Sequence, residues 1–164
     1  MCFSNNGTTW SSWETYATTR IWDLTSGDNN KIVYVKFMDT VSNVSAAFQD
    51  DITLDTLGPT GALSIVEAPF TTSSTVKLSL SANDSSGVPS ATIILAGEPP
   101  ETVAFAPFVP RNIPAVEGTY TFDISYIDPV GNRSATYSSS ICVDLSGPSQ
   151  PMVIDDGEYS GNPT

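Results

Sequence analysis

The 164-residue chain contains no histidine. Its absence removes the commonest general base and metal ligand, and with them every Ser-His or Cys-His nucleophile pair. Basic residues are scarce: 6 Lys+Arg stand against 18 Asp+Glu, for a net charge of -12. A surface of that sign repels phosphate backbones, which excludes nucleic acid as a partner. No apolar run approaches a membrane span, and residues 1–20 (MCFSNNGTTWSSWETYATTR) lack the basic-then-apolar order of a secretory signal. There are only 2 cysteines, Cys2 and Cys142, at opposite ends of the chain. They read as small buried apolar residues rather than as a disulfide. Charged residues make up 15% of the chain, well below the usual share, while 40% hydrophobic content is enough for packed cores. One or two globular domains follow.

Ser and Thr are abundant, and 11 Gly with 12 Pro punctuate the chain. An internal repeat organises it. Residues 39–59 (DTVSNVSAAFQDDITLDTLGP) align without a gap on 128–148 (DPVGNRSATYSSSICVDLSGP), with 9 of 21 positions identical. Upstream, after a shift of three, residues 1–22 lie on 93–114 and pair Phe3 with Leu95, Trp13 with Phe105, Tyr16 with Phe108 and Ile21 with Ile113. The period, about 90 residues, is the size of a small β-sandwich. Local patterning agrees: Val76, Leu78 and Leu80 alternate with Lys77, Ser79 and Ser81, and Tyr120, Phe122, Ile124 and Tyr126 alternate with polar neighbours. The pattern predicts strands near 62–67, 75–83, 91–97, 101–106, 119–127 and 135–144, with no helix. The fold class is therefore all-β, tandem β-sandwiches. The expected organisation is a partial repeat over 1–58, a complete one over 59–147, and a linker opening a further module over 148–164. Counterparts of residues 61–92 are missing from the first repeat, so the chain is expected to be a slice of a longer array.

The first copy carries Phe3, Ser4, Asn5, Gly7, Trp10, Trp13, Tyr34, Phe37, Asp39, Asn43, Ser45, Asp55 and Pro59 in one frame. This frame resembles the Ig-like repeats of large secreted and surface proteins of bacteria and archaea, with Ser42 in place of the usual Gly. The second copy has Gly131 and Asn132 but neither Trp, and VIDDGEYSGNPT is similar to the start of fibronectin type III-like modules. The resemblance implies a non-catalytic spacer, stalk or adhesion segment, extracellular or at the cell surface, whose partners are neighbouring modules of these kinds.

Two sets of residues are candidates for binding. The Asp39–Asn43 and Asp128–Asn132 turns, with Asp55, Asp84 and Asp144 near strand ends, offer the oxygen ligands that calcium takes. The same Asp and Asn residues also suit hydrogen bonds to their own backbone in hairpin turns. Calcium is the one cofactor in view. Trp10 and Trp22 align with Thr102 and Pro114, so the sandwich does not require them, and they are the candidates for stacking on a carbohydrate. Trp13 aligns with Phe105 and is expected in a core. Glu14 and Asp23 have the chemistry of an acid and base pair, but their spacing is that of solvated surface charge. An open first sandwich offers a further route to partners, through a strand donated by another copy in a filament or oligomer.

Overall fold

The computed structural model describes residues 1–88 and 90–147, so the proposed segment 148–164 lies outside the described residues. Those residues form an all-β structure of eleven strands in three sheets.

The second repeat is a two-layer sandwich. One layer is β4 (Thr60–Ile65), β6 (Thr75–Asn83) and β9 (Phe108–Asn112), in the order β4-β6-β9. The other is β5 (Phe70–Thr71), β7 (Ser90–Leu95), β8 (Glu101–Ala104), β10 (Gly118–Ile127) and β11 (Tyr137–Val143), in the order β5-β11-β10-β7-β8. Period-2 patterning places the core between them: Val76, Leu78 and Leu80 of β6 are buried while Thr75, Lys77 and Ser81 are exposed. They meet Phe122, Ile124 and Tyr126 of β10 and Ile141 and Val143 of β11 in one cluster. Each such side chain contributes roughly 1.5–3 kcal/mol through removal from water. Two hydroxyls tie β4 across the layers, as Tyr126 Oη donates to the Ala62 carbonyl and the Gly61 N–H donates to Tyr137 Oη at 2.8 Å.

Strands β5 and β9 were not expected from the sequence. Pro110 argues against a strand, but β9 lies at a sheet edge, where a residue without an N–H is tolerated. Cys2 is buried and Cys142 half-buried, both as free thiols.

The first repeat forms a single three-stranded antiparallel sheet of β1 (Cys2–Ser4), β2 (Asn29–Lys36) and β3 (Phe48–Leu54). Val35 opposite Phe48 repeats the pairing of Ile124 opposite Tyr137. Among its described residues only Met1, Cys2 and Ser4 are buried. The segment aligned with β9, residues 16–20, is not a strand here.

Candidate metal centre at the repeat junction

The repeated frame builds one turn twice. Asp128 Oδ1 accepts the backbone N–H groups of Val130, Gly131 and Asn132 at 3.0, 2.7 and 2.8 Å, and its Oδ2 accepts Asn132 Nδ2 at 2.8 Å. In the first copy Asp39 Oδ1 accepts Val41 and Asn43 N–H at 3.0 and 2.8 Å, and Asn43 Nδ2 donates to Oδ2 at 2.8 Å. The shared serine closes the base of the turn, since Ser134 Oγ accepts the Tyr126 N–H at 2.8 Å and Ser45 Oγ accepts the Phe37 N–H at 3.0 Å. The Asn43 hydrogen bonds, side chain first, hold the Asp39 carboxyl below the ordinary carboxylate range. At Asp128 burial is the largest single influence and acts upward, yet the bonds from Asn132, Gly131 and Val130 together hold its carboxyl low as well. Both aspartates are thus anions fixed by their own turns.

Position 42 differs between the copies. Ser42 sits at φ +71° where Gly131 sits at φ +98°. A side chain in this left-handed region costs about 1 kcal/mol that glycine avoids. Ser42→Gly is therefore expected to raise the stability of the first repeat by about that amount, read as an upward shift in its urea midpoint. No shift, or a fall, would show that the serine is not strained.

The junction turns the second copy into a shared site. Thr56 N–H and Oγ1 donate to Asp28 Oδ1 at 3.0 and 2.7 Å, fixing the linker to the first repeat. Asn132 Nδ2 donates to the Asp55 carbonyl at 3.1 Å, fixing it to the second. Gly58 lies on the backbone of Arg133 and Ser134 so closely that a Cβ would fall 2.2 Å from the Arg133 oxygen.

This docking brings Asp55, just after β3, to Asp84, just after β6, and Asp128, just after β10, with one carboxylate oxygen of each within 4.8 Å of the others. Asp128 is 2% exposed. Asp55 Oδ2 is buried and, among the described residues, has no hydrogen-bond partner. Carboxylates brought this close favour a cation among them. Of the seven residues expected as ligands, the structure gathers these three. Asn132 is beside them as a clamp, with its amide N–H groups directed at Asp128 and Asp55. Asp39 and Asn43 are exposed in their own turn, and Asp144, also exposed, accepts the Ser146 N–H at 3.2 Å.

The tryptophans divide differently from expectation. Trp13, expected in a core, is 42% exposed, because the layer that packs on its counterpart Phe105 in the second repeat has no equivalent among the described residues of the first. Trp10 and Trp22 are half-buried and line one surface hollow with Asn5, Asn6 and Thr9. Each is already engaged: Lys36 Nζ lies 4.2 Å from the Trp10 ring centroid, while Trp22 Nε1 donates to Asn5 Oδ1 at 2.7 Å and its ring is 5.3 Å from that of Phe3. Glu14 pairs with Arg20 at 3.0 Å on the surface.

Comparison with protein-family models gives no match, and comparison with curated proteins gives none either. Among solved structures, the chain is similar to one described as "Structures of Clostridium thermocellum CbhA fibronectin(III)-like modules", at 19% identity and a TM-score of 0.45, covering 92% of this chain and 82% of that one. The likeness is too distant to carry function across, and the fold rests on the sheets themselves.

Proposed function

We propose that the chain is a non-catalytic positional module, a spacer or adhesion segment of an extracellular or cell-surface protein. In this reading successive Ig-like repeats are held in fixed relation by an acidic junction that binds calcium. The observation that carries it is the docked linker, tied to the first repeat through Thr56 and Asp28 and to the second through Asp55, Asn132 and Gly58. The buried, unpaired Asp55 Oδ2, on a residue whose carboxylate meets those of Asp84 and Asp128, supports an ion there, because a hard divalent cation takes six to eight oxygens and water completes what Asp55, Asp84 and Asp128 begin. A chain that positions its neighbours needs defined geometry between units more than it needs a cleft.

NMR relaxation of the full chain tests this. With calcium the two repeats are expected to share one rotational correlation time, and chelation or Asp84→Asn is expected to let them tumble separately. Independent tumbling in saturating calcium would refute the positional reading, and joint tumbling indifferent to calcium would refute the ion.

A second reading, a carbohydrate-binding surface, is favoured by the convergence of Trp10 and Trp22 on one hollow. It requires soluble glycans to quench tryptophan emission in the full chain and not in a W10A/W22A variant. An unquenched wild type, or a double variant that still binds, would end it.

A further inference from the structure

The two repeats give the same face two fates. On β10 and β11 that face is closed: Tyr126 is 0% exposed and Ile141 is 1% exposed, and Ile113, just past β9, is 4% exposed. The residues aligned with them in the first repeat stand open, with Phe37 at 36%, Ile52 at 56% and Ile21 at 87%. The difference is one continuous stretch of chain. In the second repeat the face is covered by the linker from Asp55, by β4 and by β6, and β6 in turn pairs with β9 from Thr75 opposite Asn112 to Ser79 opposite Phe108. Among the described residues nothing equivalent lies over the first sheet, and residues 16–20, aligned with β9, have no strand to pair with.

The polar end of the face is open in the same way. Asn132 uses its amide twice, on Asp128 and on the incoming Asp55 carbonyl. Asn43, in the equivalent turn, uses its side-chain amide only on Asp39 among the described residues. One segment would satisfy both openings, because in the second repeat the linker that meets the turn runs without interruption into the strands that cover the face. The two departures on the first face are Lys31 for Tyr120 and Asp50 for Ser139. These are charges of opposite sign at diagonal positions of the β2-β3 ladder, close enough to pair with each other under a covering segment.

We infer that the open face of the first repeat is a docking site for a segment of a further repeat with the pattern of Asp55–Asn83: an Asp-x-x-Gly-Pro linker whose carbonyl is taken by Asn43, then an antiparallel pair of alternating apolar strands. The second of these strands pairs with residues 16–20 and converts them to an edge strand. The occupant is a polypeptide of that pattern, and its recognition combines main-chain pairing along an edge with apolar knobs on one face. The inference rests on the tandem-repeat reading above but not on calcium or on rigid coupling of the two units.

The experiment compares the full chain with the same chain carrying a second copy of Asp55–Thr92 fused ahead of Met1, since Met1 aligns with Ile93. Three signals are followed: binding of an apolar fluorescent dye, emission of the tryptophans, and hydrogen exchange at the Tyr16–Arg20 amides. The unextended chain is expected to bind dye. The extension is expected to remove most of that signal, shift the tryptophan emission to the blue and slow exchange at residues 16–20 at least tenfold. An extension with aspartate at the positions copied from Leu63 and Leu78 is expected to restore the open behaviour.

Unchanged exchange at 16–20 in the extended chain would overturn the inference. So would equal effects from the aspartate-bearing extension. An unextended chain that binds no dye would overturn it too, since the face would then be covered already, by another copy or by the chain itself. Separate tumbling of the two original repeats would count against the positional reading alone and leave this result standing.

Discussion

Tyr126→Ala is expected to destabilise the second repeat by about 4 kcal/mol, while Phe37→Ala, the same truncation at the aligned position of the first, costs about 1 kcal/mol. The residue types are nearly the same and the turns that follow them are alike, so the contrast isolates burial. Tyr126 is fully buried; its ring lies 5.9 Å from Phe105 and 5.8 Å from Tyr137, and its hydroxyl holds the Ala62 carbonyl. Truncation leaves a cavity under β4 and removes the hydroxyl that donates to the Ala62 carbonyl, two penalties that add. Phe37 touches Tyr16 and Phe48 at 6.1 and 6.0 Å on a face open to water, so only part of its surface is lost on truncation. Tyr126→Phe separates the two penalties and is expected to cost about 1–2 kcal/mol. The measurement is direct because all tryptophans, Trp10, Trp13 and Trp22, belong to the first repeat. Urea melts followed by tryptophan emission report the first repeat, and hydrogen exchange at the β10 and β11 amides reports the second. Equal losses at the two positions would show that the first sheet is covered in solution.

Much of this architecture was legible in the sequence because it is written in local terms. Alternation at 76–80 and 120–126 names the buried face, since side chains leave a strand on alternate sides. The Asp-x-x-x-Asn-x-Ser frame names a turn whose bonds all fall within eight residues. Other features were not legible, and three of them show a tertiary reason. Strand β9 carries Pro110 and exists because β6 supplies an edge. Trp13 aligns with a packed aromatic, but alignment shows the residue and not the layer above it. The meeting of Asp55, Asp84 and Asp128 depends on a linker lying along a backbone 75 residues further on, and Asp84 sits in a loop with no counterpart in the first repeat. Beyond the acidic residues themselves, the trace of that meeting in the sequence is the repeated Gly-Pro after Asp55 and Asp144, since glycine is what a close backbone approach requires.

Gly58→Ala tests that approach, with Gly147→Ala as the matched control at the aligned position. A Cβ at residue 58 would lie 2.2 Å from the Arg133 oxygen, 2.4 Å from its carbon and 2.9 Å from the Ser134 nitrogen, all of them backbone atoms with no rotamer to change. At Gly147 the same atom meets nothing within 4 Å among the described residues. The linker of the Gly58 variant must therefore lift from the second repeat. The Asn132 bond to the Asp55 carbonyl breaks, and the Asp55 carboxylate leaves Asp84 and Asp128. Overpacking of this kind costs about 1–3 kcal/mol, and here it falls on the junction rather than on either core. The expected result is faster exchange at the Asn132 and Arg133 amides, separate tumbling of the two repeats and a calcium affinity at least tenfold weaker, with both unfolding midpoints within a degree or two of wild type. The Gly147 variant is expected to match wild type in all four. Should Gly58→Ala keep its calcium affinity and its joint tumbling, the contact of the linker with Arg133 would not be what orders the junction. Should it unfold the second repeat outright, the linker would belong to the core and not to the joint.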